Sequence, residues 1–280
     1  MEFLPILMTA SVSTHGMKGA CFSDEERYAM YLNSLTYYIS ISYKQCGGGV
    51  KLVFADNSGW DLSTFHNELT KSFNPDIINS QIEFISLSPK HFDISKGKGY
   101  NELLLINLAI KNSTFIKQAG AFFKVTGRYP IYNIFQFHKA ASIAFSNGYD
   151  FYCDLKNHNL YRLLGLNWNS HSFEARLWGS KIDFYVKNIS DKYTVCYDYD
   201  GRFVESVLYN YLFQVTDGFK RCKCKEKGIS IRFSREPRFG GIEGSNSVAA
   251  SFSKDQQSLK SKVKITIGNF FRIFTPWFKF

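Results

Sequence analysis

One pattern limits the folds open to this chain more than any other. Through residues 1–155, short apolar runs alternate with stretches whose apolar side chains recur every three or four residues. Strand–helix–strand repetition with fully apolar strands predicts an α/β fold, a parallel sheet covered by helices on both faces. Residues 4–9 read as the first strand, followed by a loop rich in Ser, Thr and Gly at 11–19. Ser23 with Glu26 three residues on forms a capping box that starts a helix. Tyr28, Tyr31, Leu32, Leu35 and Tyr38 follow at helical spacing and face the core. After a glycine turn at 47–49, a second strand at 50–55 ends in the turn sequence Asp56-Asn57-Ser58-Gly59. A short helix at 63–71, a strand at 82–87, a helix at 101–111 and a strand at 121–126 complete the repetition.

The second half is less regular. Residues 173–178 and 229–233 read as strands, 181–188 and 203–216 as helices, and 239–247 as a loop rich in Gly and Ser. The sequence has no internal repeat and no clear linker, so 1–155 and 156–253 are two halves of one domain. The tail, 254–280, is different in kind. It sets Lys254, Lys260, Lys262, Lys264, Arg272 and Lys279 against Asp255 alone and mixes them with Phe270, Phe271, Phe274, Trp277, Phe278 and Phe280.

Composition removes several classes. With 45% hydrophobic and 21% charged residues the chain is not broadly disordered. No apolar run approaches the roughly 20 residues of a spanning helix. Residues 3–10 lack a basic flank and read as a strand rather than a signal peptide, which places the chain, and its cysteines, in a reducing compartment. Cys21, Cys46, Cys153 and Cys196 are scattered, and Cys222 and Cys224 form only a C-x-C, so none has metal-ligand spacing. The net charge of +10 invites an anionic partner. Nucleic acid is not expected, because no recognisable nucleic-acid module is present. Cations mixed with Phe and Trp suit the headgroup layer of an anionic membrane, or a last amphipathic segment packed on the domain.

Parallel sheets bind ligands beyond the carboxyl ends of their strands. That singles out the loops 10–19, 56–60, 95–101 and 126–132. Asp56 ends a buried strand there, where its carboxylate can accept from a base or ribose, or close an Asx-turn. Lys96-Gly97-Lys98-Gly99-Tyr100-Asn101 puts lysines and glycines before a helix start, which suits a diphosphate. It matches neither the triphosphate P-loop nor a dinucleotide fingerprint. Thr126-Gly127-Arg128 brings a guanidinium fork to the same edge. Glu205 opens the helix at 203–216, where a carboxylate facing a cleft can take a proton from an attacking hydroxyl. Glu174, Arg176 and Asp183 form another polar group that binds an acceptor or pairs internally. No G-x-S-x-G elbow and no Cys/His couple is present, which disfavours serine or cysteine hydrolysis.

Seven segments, in order, carry a resemblance: Ile6-Leu7-Met8-Thr9-Ala10-Ser11-Val12; Phe54-Ala55-Asp56-Asn57-Ser58; Gly97-Lys98-Gly99-Tyr100-Asn101-Glu102; Phe123-Lys124-Val125-Thr126-Gly127-Arg128-Tyr129; Glu174-Ala175-Arg176-Leu177-Trp178-Gly179; Gly201-Arg202-Phe203-Val204-Glu205; and Gly241-Ile242-Glu243-Gly244-Ser245. Together they resemble the bacterial glycosyltransferases of capsule and O-antigen (lipopolysaccharide) synthesis. The resemblance implies a GT-A-like fold, with 1–155 as the nucleotide-sugar half, 156–253 as the acceptor half and 254–280 as a membrane-contacting tail. It implies a nucleotide-sugar donor, a saccharide acceptor carried on lipid, and a place on the inner face of the bacterial cytoplasmic membrane. Donor contacts would fall to Thr9, Ala10, Ser11, Asp56, Asn57, Lys98, Tyr100, Asn101, Thr126, Gly127 and Arg128. Acceptor contacts would fall to Glu174, Arg176, Glu243 and Ser245, and Glu205 would be the base of an inverting transfer. The strand that ordinarily ends in a metal-binding Asp-X-Asp ends here in Thr126-Gly127-Arg128. Metal-independent action is therefore favoured over Mn²⁺ or Mg²⁺, with Asp150 and Asp154 as a displaced metal pair in the alternative. Competing readings are a non-catalytic basic module for anionic membrane or nucleic acid, and a sugar nucleotidyltransferase, for whose glycine-rich loop 11–18 is a poor match.

Overall fold

Strand β1 (Ile6–Ala10) is wholly buried and runs parallel to both of its neighbours, β2 (Leu52–Asp56) and a later strand at 121–126. The computed structural model describes residues 4–47, 49–157, 171–219 and 223–241, and 263, 266, 267, 269, 270 and 272 of the tail. Between β1 and β2 lies α1 (Asp24–Cys46). Its N-cap is Ser23, which closes the expected capping box with Glu26, and its C-cap is Gly47 at φ 57. After β2 come α2 (Ser63–Thr70), α3 (Pro75–Gln81) and β3 (Ile82–Ser86). Then follow α4 (Lys98–Asn112), α5 (Thr114–Ala119) and β4 (Ala121–Thr126). The short helices α3 and α5 were not expected; each starts at a capping side chain, Asn74 and Ser113.

The remaining elements are α6 (Ile134–Ser146), β5 (Phe151–Cys153), β6 (Leu155–Asn157), β7 (His171–Phe173), β8 (Leu177–Lys181), α7 (Ile182–Asn188), α8 (Val204–Val215), β9 (Lys223–Cys224) and β10 (Ile229–Ile231). Among the described residues the main sheet has eight strands in the order β3-β2-β1-β4-β8-β5-β10-β9. Alternate residues of each strand face opposite sides. Ile6, Met8 and Phe54 therefore pack with Tyr31, Leu35, Tyr38, Ile134 and Phe137 from α1 and α6. Leu7, Val53 and Ala55 pack with Leu103, Ile106, Tyr185, Leu208 and Leu212 from α4, α7 and α8. This is the mixed α/β architecture expected, one sheet with helices on both faces.

Two expectations are corrected. The sheet is not parallel throughout, since β8 runs antiparallel to β4 and β5, and β9 to β10. The strand expected at 173–178 is broken, because Glu174–Arg176 turn the chain between β7, which pairs with β6 in a separate two-stranded sheet, and β8. Gly179 allows β8 its place, since a Cβ there would lie 3.1 Å from Phe123 and 3.3 Å from Phe145. Among the described residues no helix is long and apolar enough to cross a membrane. The described tail residues are helical, and Arg272 is anchored to Asp154 and Glu236, 2.7 Å from each.

Candidate functional site

The carboxyl ends of β1, β2 and β4 meet in register, with Ala10 opposite Asp56 and Thr9 opposite Thr126. Asp56 has no exposed surface. Its Oδ2 accepts from the Val12 amide at 2.8 Å, and its Oδ1 from the Ser58 amide and hydroxyl at 2.8 and 2.7 Å. Burial raises its pKa, and these donors oppose the rise. A carboxylate so enclosed braces the two strand-end loops and leaves no free edge for a nucleoside, which corrects the expected direct contact. Asn57 does similar work. It accepts from the Ser11 hydroxyl at 2.6 Å and donates to the Asn101 carbonyl at 3.2 Å. Asn101 is buried, its amide fixing the Asp93 and Gly97 carbonyls at 2.7 and 2.6 Å. Tyr100 turns away to pack edge-on against Tyr193. Ala10 is buried in the strand end. Asn57, Tyr100 and Asn101 therefore shape the rim from within.

The diphosphate cradle expected from the helix start is also corrected. Helix α4 begins at Lys98 with Gly97 as N-cap at φ 88. Its first amides are already taken: Lys98 N donates to Asp198 at 2.7 Å and Gly99 N at 3.3 Å. The glycines permit this. A Cβ on Gly97 would lie 2.6 Å from Asp198, and one on Gly99 3.0 Å from its carboxylate. An internal carboxylate thus takes the place the dipole would offer an outside anion.

The cations remain. The Lys98 ammonium reaches back to the Gly19 carbonyl at 2.7 Å. Burial lowers its pKa, and the nearby charges of Arg128 and Arg27 lower it further. Arg27, only 5% exposed, holds the carbonyls of Ser11 and Val12 through Nε at 2.8 and 3.1 Å. Arg128 donates to the Tyr129 hydroxyl at 3.1 Å, and its buried Nε has no hydrogen-bond partner. Among the described residues no carboxylate forms an ion pair with Lys98, Arg27 or Arg128. Like charges brought together without counter-charge hold a strongly attractive place for an anion. Lys98 and Arg128 lie near enough for the guanidinium's charge to act on the ammonium.

Carboxylates gather beside these cations. Glu205 stands exposed in the first turn of α8. Crowding by the surrounding protein, and then the charges of Glu102, Glu174 and Asp198, push its carboxyl up to about 7. Glu102 lies at the floor. Its Oε1 accepts from the Thr9 hydroxyl at 2.9 Å and the Thr126 hydroxyl at 3.4 Å, and pairs with Lys124 at 2.7 Å. Lys124 is completely buried and also donates to the Ala175 carbonyl at 2.6 Å, tying α4 and the 174–176 turn to β4. Thr9 and Thr126 thus face Glu102, and Gly127 clears the strand end, where a Cβ would lie 2.8 Å from the Thr9 carbonyl. Glu174 and Arg176 pair with each other through two bonds of 2.7 Å, with the guanidinium 3.8 Å from the Phe239 ring centroid. Glu243 and Ser245 lie outside the described residues.

The end of β4 offers a hydroxyl, a glycine and a guanidinium, a donor set unsuited to Mn²⁺ or Mg²⁺, which take carboxylate oxygens. Asp150 and Asp154 do not form the alternative metal pair. Asp150 pairs with Lys181 at 2.8 Å, and Asp154 is buried on Arg272 at 2.7 Å. Among the described residues no group of His, Cys, Asp and Glu is arranged to hold a metal.

Arg27, Glu102, Lys124 and Asp198 were not singled out from sequence as site residues. Two carried a signal. Lys124 sits inside a run of apolar strand residues and needs a buried partner. Arg27 is a cation near a helix start, against the dipole. Asp198 carried none, because its partners lie 100 residues away in sequence.

No protein-family model matches this chain. No curated protein matches it. Among solved structures it is similar to the mannosyltransferase Ktr4p from S. cerevisiae in complex with GDP, with 11% identity over 93% of this chain and 81% of that chain and a TM-score of 0.43. A second structure of the same yeast mannosyltransferase gives 9% identity over the same shares and a TM-score of 0.42.

Proposed function

We propose that the chain is a glycosyltransferase that moves a sugar from a nucleotide donor to a saccharide acceptor. The observation that carries this reading is the gathering at the sheet edge of Lys98, Arg27 and Arg128, without an ion-pair partner among the described residues, around Glu102, whose charge also reaches Glu205. The cations fit the pyrophosphate of an activated sugar and the charge that develops as it leaves. A base titrating near 7 fits removal of a proton from an attacking hydroxyl. The acceptor hydroxyl attacks the anomeric carbon, its proton passes to Glu205, the glycosidic C–O bond to phosphate breaks, and the nucleoside diphosphate departs against Arg128 and Lys98. This is an inverting displacement, and no step runs through a metal.

The resemblance to capsule and O-antigen enzymes supports a role in bacterial surface polysaccharide synthesis, with a lipid-linked acceptor. Glu174 and Arg176, both half-buried, are the residues we assign to that acceptor. Thermal melting against UDP, GDP and CMP tests the reading, because a ligand that prefers the folded state raises its stability. Stabilisation by UDP or GDP is the expected result, with CMP, which carries no pyrophosphate, as the comparison. Stabilisation only by polyanions, lost steeply as salt rises, would instead identify a basic binding module.

The tail supports a place at a membrane surface. Val263, Ile267 and Phe270 are 49%, 51% and 54% exposed and recur at one-face spacing on a helix. In the sequence Lys260, Lys262 and Lys264 flank Val263 and precede Ile267 and Phe270. Deleting 254–280 is a poor test, because it also takes Arg272 from buried Asp154. The double change Ile267→Asp with Phe270→Asp is cleaner. It is expected to end cosedimentation with phosphatidylglycerol vesicles and leave nucleotide stabilisation unchanged. Continued vesicle binding by that variant would exclude this face.

A further inference from the structure

Glu102 is not accounted for by its structural bonds. All its described partners, Thr9, Thr126 and Lys124, engage the same oxygen, Oε1. The side chain keeps 23% of its surface exposed. Its charge is felt on both sides of the cleft, by the Arg128 guanidinium and by the Glu205 carboxyl. With the leaving phosphate on Arg128 and Glu205 as the base, the transferred sugar bridges the two groups that Glu102's charge reaches. Glu205 itself feels the charges of Glu102, Glu174 and Asp198.

We propose that Glu102 receives hydroxyl groups of the transferred sugar through Oε2, and that this sugar is neutral. The proposal rests on the reading of the cleft as a donor site. A carboxylate takes two hydroxyls well, since each bond is charge-assisted. A sugar carboxylate set on Glu102 meets like charge there, with the nearby Glu205 adding to it. Lys124, with no exposed surface, holds the Glu102 side chain through Oε1 and leaves Oε2 without a described partner.

The test compares affinities of the full-length protein for UDP, GDP, UDP-glucose, UDP-galactose, UDP-N-acetylglucosamine, GDP-mannose and UDP-glucuronic acid, using wild type and Glu102→Gln. At least one neutral nucleotide sugar is expected to bind about tenfold or more tighter than its own diphosphate. UDP-glucuronic acid is expected to bind no tighter than UDP. Glu102→Gln should erase the sugar increment and leave diphosphate affinity within about twofold. A merely structural Glu102 would not separate sugar from diphosphate in this way. An increment that survives in Glu102→Gln, the absence of an increment for every neutral sugar, or a preference for the glucuronate overturns the proposal. If wild type binds neither UDP nor GDP, the donor-site reading has failed instead. Should Glu102→Gln not fold, Glu102→Gln with Lys124→Met removes the buried cation together with its partner and is read by the same comparison.

Discussion

Glu205→Gln is expected to lower turnover by about 10²–10⁴-fold while nucleotide binding persists. The amide keeps the size of the side chain and its place in the first turn of α8 but cannot take a proton. The same residue sets the pH behaviour. Its carboxyl is held near 7 against an ordinary 4.5, so it is protonated and inactive as a base on the acid side. Wild-type kcat/KM should therefore rise with pH and level off above about 7. Stability runs the other way. The folded state holds this proton more tightly than the unfolded chain, so the stabilising contribution is full below about 4.5 and is lost as pH rises toward 7. Glutamine has no such penalty. The variant should gain in melting temperature relative to wild type at pH 8, and gain less at pH 5. Because the side chain is exposed, the sign of that difference is the expectation and its size is small. Wild-type turnover in Glu205→Gln, or a rate that does not depend on pH between 5 and 8, would assign the base elsewhere.

Arg128→Met carries the second large effect. Among the described residues the guanidinium has no carboxylate partner, so its removal frees only the Tyr129 hydroxyl. That separates it from Lys124 and Arg272, whose loss would leave Glu102 or Asp154 without its cation. The variant should fold with nearly wild-type stability. A charge-assisted bond to phosphate contributes roughly 1.5–3 kcal/mol, so diphosphate affinity should drop about 10- to 150-fold. Lys98 should respond as well, since losing the neighbouring charge lets its pKa rise.

Much of the scaffold could be read from the chain. The apolar runs behind β1 to β4 and the Ser23–Glu26 box locate the strands, α1 and the ligand edge, because period and capping are local properties. The direction of β8 was not legible, since apolarity marks a strand but not which way it runs. The start of α4 was placed three residues late for a related reason. Gly97 reads as loop until Asp198, far along the chain, is seen to fill the space its missing Cβ leaves. Lys98, Arg128 and Glu205 could be singled out because each sits at a strand or helix end. Asp56 was misjudged because backbone amides of Val12 and Ser58 claim its oxygens, and a sequence does not display where amides point. Arg27 joins the cations only because the loop after β1 folds back over the start of α1.

Calorimetric titration of wild type and Arg128→Met with a nucleoside diphosphate and with its parent nucleoside tests most directly whether these cations grip a pyrophosphate. The diphosphate, UDP or GDP, should bind wild type far more tightly than uridine or guanosine, and most of that advantage should vanish in Arg128→Met while the nucleoside binds both proteins equally. Equal affinity of wild type for nucleoside and diphosphate, or an advantage left whole without Arg128, would contradict it.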